Sequence, residues 1–457
     1  MAARYLERSR IVAPPGWSRW LIPPAALSIH LAIGQAYAWS VFKKPLEASL
    51  GISGVASALP FTFAIVMLGL SAALFGTRVD SKGPRWAMFI SMCCFCSGFL
   101  ISALGVSIGQ YWLVVLGYGV VGGIGLGIGY ISPVSTLIKW FPDRPGMATG
   151  IAIMGFGGGA LIAAPWSNSM LTAFGATGTG PDTGGIAKTF LIHGVAYAVF
   201  MSVGWLLIRV PADDWKPVGW EPRPRPAGSL ISAGNVSARN AIKTPQFWLL
   251  WVVLCFNVTA GIGILERAAP IYSDFFPGGA GLAAAAAGFV AILSLANMLG
   301  RFVWSSTSDL IGRKNAYRMY LGVGALLYLT VTQTTNANKV VFLVCCLLIL
   351  SFYGAGFATV PAYLRDLFGT YQVGAIHGRL LTAWSTAGVL GPVIVNAVAD
   401  ARITAGVTGP GRYTLSFSIM IGLLIIGFVC NELIRPVNPR FHEPASEHAA
   451  GKAAMAA

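Results

Sequence analysis

The sequence predicts an all-α integral membrane protein of twelve transmembrane helices in two pseudo-symmetric six-helix bundles. Three observations predict it. Of 457 residues, 55% are hydrophobic and 10% charged, with a mean hydropathy of +0.69, whereas soluble domains carry about 25% charged residues. The apolar residues fall in runs that reach the ~20 residues a helix needs to cross a hydrocarbon core of about 30 Å. Landmarks of the first half also recur in the second at nearly one offset: Asp80 and Asp309 lie 229 residues apart, Pro133 and Pro361 228, Pro165 and Pro392 227.

In chain order, a polar tail (1–19) precedes a first bundle, 20–210, with spans at 20–42, 53–76, 86–106, 111–139, 147–172 and 189–210. The tail shows no separate apolar region ending in a cleavage site, so the first apolar run is expected to stay as a span. A Pro-, Gly- and Arg-rich stretch, 211–244, reads as a flexible linker. The second bundle, 245–434, has spans at 245–266, 282–304, 317–334, 339–364, 375–398 and 412–434, followed by a tail, 435–457. The ninth span is the weakest, because TVTQTTNANK makes its far end polar. Twelve crossings place both tails and the linker on one side. That side carries 23 Lys and Arg and the other 7, with Arg301 inside a span, so the tails are expected to be cytoplasmic.

The net charge of +15 is scattered over short loops, which argues for membrane orientation and against nucleic acid. All seven cysteines lie in apolar runs, so neither a disulfide framework nor a metal site is expected. GFGGGA (155–160) fits a dinucleotide-binding pattern, but it lies in a span with no strand before it and is rejected. Glycines at four-residue spacing (119, 123, 127; 155, 159) instead mark close helix contacts. No cofactor is expected, and no hydrolase, kinase or nucleotide motif appears.

Loop 76–85, GTRVDSKGPR, has a second copy at 305–314, SSTSDLIGRK. The pair resembles the loop 2–3 signature of the major facilitator superfamily. Physically it reads as a latch, with Asp80, Arg85, Asp309 and Arg313 joining a carboxylate, arginines and a helix terminus across the bundle. GQAYAWSVFKKPLEASLG (34–51), GIGYISPVSTLIKWFPDRPGMATG (127–150), KTPQFWLLW (243–251) and DLFGTYQVGAIHG (366–378) are similar to the oxalate:formate antiporter branch. The resemblance implies a secondary transporter of small carboxylates, with a basic residue in the eighth span and another in the eleventh. Arg301 matches the first; the second position holds Trp384. A dicarboxylate calls for two cations in a low-dielectric site, so one arginine points to a monocarboxylate of the lactate, pyruvate or formate type.

Arg301 is the chief substrate-binding candidate. An arginine in a span costs about 2.5–3.5 kcal/mol and usually faces a wet cavity, and its planar fork matches a carboxylate; the bland alternative is snorkelling to the nearby interface. Tyr37, Tyr130, Trp384 and Tyr353, with Phe357, are candidates for the wall and hydroxyl donors around the anion. Aromatic residues also gather at interfaces for no functional reason. His30 and Glu266 are the proton-coupling candidates, each with a plainer role as a hydrogen-bonded core histidine or a solvated carboxylate. Lys43 and Lys44, just outside the first span, are either a lure for anions at the outer mouth or plain solvated loop charges.

The expected function is alternating-access transport of a small organic anion, coupled to a proton or a counter-anion, by a monomer in contact with membrane lipid. Short loops and the resemblance favour a bacterial inner membrane. Rival readings are an oxalate:formate-type dicarboxylate antiporter, a drug or metabolite exporter on the same fold, a membrane sensor, and an integral-membrane enzyme. The last two lack a signalling domain and a catalytic cluster respectively.

Overall fold

The computed structural model describes residues 6–176, 180, 182–212, 215–221, 230–265, 267–278, 282–333 and 338–444. Among these there is no strand, only an isolated parallel bridge between Val12 and Val210. All twelve expected spans are helical: α1 (Ile22–Ile33) with its continuation α2 (Ser40–Leu50), α3 (Gly54–Lys82), α4 (Pro84–Ser107), α5 (Tyr111–Trp140), α6 (Pro145–Ala173), α7 (Thr183–Leu207), α8 (Pro245–Leu265) continuing into α9 (Ala268–Phe275), α10 (Leu282–Ile311), α11 (313–333), α12 (Lys339–Phe368), α13 (Val373–Thr404) and α14 (Thr414–Leu433). Ten helices among the described residues are long and apolar enough to cross a bilayer, and the α1–α2 pair makes an eleventh. The remaining one is α11, the weak ninth span, where Arg313, Lys314 and Arg318 begin the helix and a π turn interrupts it at Met319–Val323.

The first span is not straight. A tight 3-10 turn at Gly34–Ala38 separates α1 from α2, and the two meet at 50°. Gly34 lies against α6, where an added Cβ would sit 2.5 Å from the Phe156 carbonyl oxygen and 3.0 Å from the Gly159 Cα. Only a glycine pair lets these backbones approach so closely.

Contacts between the two halves follow the repeat. α3 packs on α13, and α6 packs on α10; the sequence offset exchanges the second and eighth spans and the fifth and eleventh. Both seams depend on glycine: a Cβ at Gly378 would lie 2.1 Å from the Ala72 carbonyl oxygen, and one at Gly150 2.2 Å from Ser305 Oγ. Gly83 and Gly312, the glycines of the repeated loops, have φ of +90° and +85°, a region that side chains disfavour, so each loop reverses sharply between two helices.

The second part of the expected linker, residues 230–244, is anchored. Ser232 N–H donates to the Asp366 carbonyl and Val236 N–H to that of Phe368, while Asn235 Oδ1 accepts from the Thr370 and Tyr371 amides. Glu443 N–H donates to the Asn235 carbonyl. Residues 230–244 thus strap the ends of α12 and α13, where composition alone suggested free chain.

Candidate functional site

Arg301 lies two-thirds of the way along α10, and its side chain is fully buried. It does not snorkel. Its Nε donates to Asn297 Oδ1 at 3.2 Å, one helical turn earlier, and its Nη1 to the Ile153 carbonyl of α6 at 3.3 Å. Nη2 is buried with no hydrogen-bond partner, and none of the ion pairs among the described residues includes Arg301. The guanidinium stands over the rings of Phe357 and Phe156, 5.1 and 5.9 Å from their centroids. Cation–π attraction offsets part of the cost of burying the charge but supplies no acceptor for the free N–H groups.

Around this cation the helices assemble an aromatic box. Trp384 of α13 is buried with its ring 4.5 Å from Phe357 and 5.3 Å from both Phe156 and Tyr130. Tyr37 meets Phe156 at 5.2 Å, and its hydroxyl lies 3.5 Å from that of Tyr353 on α12. The Arg301 charge acts on the hydroxyls of Tyr37, Tyr130 and Tyr353. The Tyr130 hydroxyl is itself buried and unpartnered. The structure therefore brings together five of the residues singled out from sequence: Arg301, Tyr37, Tyr130, Tyr353 and Trp384.

A cavity of about 630 Å³ abuts the box, lined by Tyr37, Lys43, Phe61, Tyr353, Trp384 and Asn396 among others. Tyr37, Tyr353 and Trp384 belong to both, so they form the partition between Arg301 and the cavity. The cavity lies at the start of α3 (Gly54–Ile65), whereas Asp80 lies at its other end. That other end is shut. Asp309 accepts from the Gly146 and Met147 amides at the N-terminus of α6, each at 2.9 Å, and pairs with Arg313, which also reaches Asp366 at 3.2 Å. Asp80 accepts from the Ala375 amide at the start of α13 at 2.8 Å, but its second oxygen is buried with no partner. Thr149 Oγ1 donates to the Ala358 carbonyl and Arg365 to that of Pro142, adding two more ties across the halves. The two latch copies are thus unequal. Arg85, expected to share the first latch, reaches the Trp205, Leu206 and Ile208 carbonyls at the end of α7, within its own half.

His30 is fully buried on α1, with Nδ1 2.6 Å from the Ala152 carbonyl oxygen and Nε2 3.1 Å from that of Tyr130. Glu266 lies outside the described residues. Lys43 lines the cavity, and Arg267 binds Asn396 and Asp400 near the same end. No group of three or more His, Cys, Asp or Glu among the described residues is arranged to hold a metal.

Sequence reasoning missed Asn297, Phe156 and His377. Asn297 stands at i−4 from Arg301, a signal that was available. Phe156 was hidden inside the rejected GFGGGA string, whose glycines the site explains: a Cβ at Gly157 would lie 2.7 Å from Arg301 Nε, and one at Gly159 2.7 Å from Gly34. His377, buried on α13 with Nε2 unpartnered and its ring 5.8 Å from Tyr130, gave no periodic signal.

A buried cation in an aromatic box, between two halves latched at one end and hollow at the other, defines a polytopic membrane transporter. The chain belongs to the Major Facilitator Superfamily, whose family profile matches residues 25–392. It is 25% identical over 387 residues to the oxalate:formate antiporter of Oxalobacter formigenes, covering 84% of this chain and 85% of that protein. It is also 25% identical over 387 residues to apicoplast pyruvate carrier 1 of Toxoplasma gondii, covering 72% and 66% of the two. Among solved structures, the major facilitator transporter FucP in its outward conformation superposes with a TM-score of 0.64 at 15% identity, over 91% of this chain and 99% of that one.

Proposed function

We propose that this transporter carries small carboxylates by alternating access, and that its cargo is a monocarboxylate of the lactate, pyruvate or formate type. The observation that supports this best is the unpartnered Nη2 of Arg301, a buried arginine edge inside an aromatic box. A carboxylate fits that edge with charge-assisted hydrogen bonds, the Tyr37, Tyr130 and Tyr353 hydroxyls suit its remaining lone pairs, and Phe357 and Trp384 suit a small carbon body. The two bundles, 20–210 and 245–434, would rock about this site. Asp80 and Asp309 would hold the cytoplasmic rim while the cavity faces outward, and the positive-inside bias would put both tails in the cytoplasm of a bacterial inner membrane. The named relatives handle oxalate, formate and pyruvate, which supports the class of cargo.

Lys43 favours a second reading. It supplies a cation at the mouth of the same cavity, as exchange of a dicarboxylate such as oxalate against formate would need. Counterflow in proteoliposomes separates the two: vesicles hold unlabelled lactate, formate or oxalate, and labelled lactate is added outside. Lactate counterflow that disappears in Arg301→Ala supports the monocarboxylate reading. Entry only against internal oxalate or formate makes the protein an exchanger of the second kind, and transport that survives Arg301→Ala removes the carboxylate reading altogether.

A further inference from the structure

We infer that His30 is the proton-binding group of a one-to-one proton:carboxylate symport, protonated when a carboxylate occupies Arg301. The inference rests on the carboxylate reading of that site. The carrying observation is that both ring nitrogens of a fully buried imidazole face carbonyl oxygens, Ala152 at 2.6 Å and Tyr130 at 3.1 Å. A neutral histidine has one N–H. In that state one of the two carbonyls faces a nitrogen lone pair, an arrangement that only the doubly protonated ring satisfies.

What opposes the proton is first the burial of the ring away from water, and then the nearby charge of Arg301. The two groups hang on successive carbonyls of one helix, His30 on Ala152 and Arg301 on Ile153, and the Arg301 charge acts on His30. His377 of α13 also acts on His30 through its charge, and its ring lies 5.8 Å from that of Tyr130. From α5 the ring meets the side chain of Tyr130, centroids 5.3 Å apart. From α7, Gly204 packs against Ser28, Ala25 and Ile29 of α1, while the α7 histidine, His193, is held by Ser167 and Thr189. Arg85 of α4 is engaged with the carbonyls at the end of α7. No carboxylate among the described residues stands beside His30 to balance an imidazolium.

An arriving substrate provides that balance. With the site empty, Arg301 carries the one charge and His30 is neutral. With a carboxylate on Arg301, the pair is neutral, and a proton on His30 restores one net positive charge. Empty and loaded carriers then reorient with equal charge, and linkage makes proton and carboxylate each tighten the other's binding. No bond is made or broken other than N–H on the imidazole, the proton entering from one aqueous side and leaving to the other with the substrate.

The first test uses purified wild-type protein and labelled lactate. Affinity for lactate is expected to weaken about tenfold per pH unit above neutrality, with one proton taken up per lactate bound. In proteoliposomes an inward proton gradient drives lactate accumulation, and a valinomycin-clamped potassium potential of either sign leaves the initial rate unchanged. A flat affinity between pH 5.5 and 8, alongside intact counterflow, overturns the inference and leaves the carboxylate reading standing. Absence of binding for lactate, pyruvate, formate and oxalate alike removes both. His30→Gln is expected to flatten the pH slope and to lose gradient-driven accumulation; a slope that persists moves the proton elsewhere and overturns the assignment. Should that variant fail to assemble, the lactate-minus-empty infrared spectrum of wild-type protein with ¹³C-histidine decides, because an imidazolium band must appear on binding.

Discussion

At the scale of single residues, the site turns on one guanidinium with a free edge. Arg301 spends Nε on Asn297 and Nη1 on Ile153, which fixes the plane of the fork without filling it. Lysine at this position would keep the charge and lose both the plane and the paired tethering to Asn297 and Ile153. Arg301→Lys is therefore expected to leave the protein assembled but to weaken lactate by about 10- to 100-fold, or roughly 1.4–2.7 kcal/mol, as read in the counterflow half-saturation. Trp384 plays the complementary part, since its indole closes the box against Phe156, Phe357 and Tyr130. Trp384→Ala empties a buried site that costs about 3–5 kcal/mol in well-packed cores. The expected result is a lowered melting temperature in detergent that added lactate only partly restores; an unchanged melting temperature would show that the box is already loose.

At the scale of helices, the length and polarity of each span were legible because a membrane helix satisfies its own backbone and needs only an apolar run. The ninth span was the weakest in sequence, and α11 is the span that falls short of the length and apolarity the others meet, with its cations at its start. Residues 334–337 of the polar TVTQTTNANK stretch lie outside the described residues. The break between α1 and α2 was not. It contains no proline, and its cause is tertiary: Gly34 approaches the α6 backbone at a place that one span's sequence does not announce. Arg301 was visible as a lone charge, and its aromatic neighbours through the resemblance. Its carbonyl partner on α6 was invisible because every residue offers a carbonyl. The glycine run 157–159 now has a mechanical reason, and Gly157→Ala tests it. A Cβ there would lie 2.7 Å from Arg301 Nε and 3.0 Å from its Cδ. Alanine ordinarily favours a helix by about 1 kcal/mol over glycine, so the variant should assemble while transport falls at least tenfold as the fork is pushed aside. Gly288→Ala on α10, where an added Cβ meets nothing within 4 Å, is the control and should transport normally.

At the scale of the whole molecule, the two latches share a design and differ in strength. Asp309 holds two amides and Arg313; Asp80 holds one amide and leaves an oxygen unpartnered. Hydrogen bonds to a charged group contribute about 1.5–3 kcal/mol each, so Asp309→Ala should release the rim further than Asp80→Ala. Hydrogen exchange reads this directly: peptides covering 145–150 should lose protection strongly in the first variant, and those covering 373–377 more weakly in the second. Equal losses would mean that the remaining ties, Thr149 to Ala358 and Arg365 to Pro142, carry the closure instead. The straps under each half carry a different consequence. The N-terminal segment is fastened to its own half through the Val12–Val210 bridge and the 2.7 Å Arg19–Asp143 pair, and residues 230–244 are fastened to the other half through Asp366, Phe368 and Glu443. Each half thus arrives with its own buckle. Two polypeptides, 1–221 and 222–457, made together in one cell should find each other in the bilayer, co-purify and move lactate as the unbroken chain does.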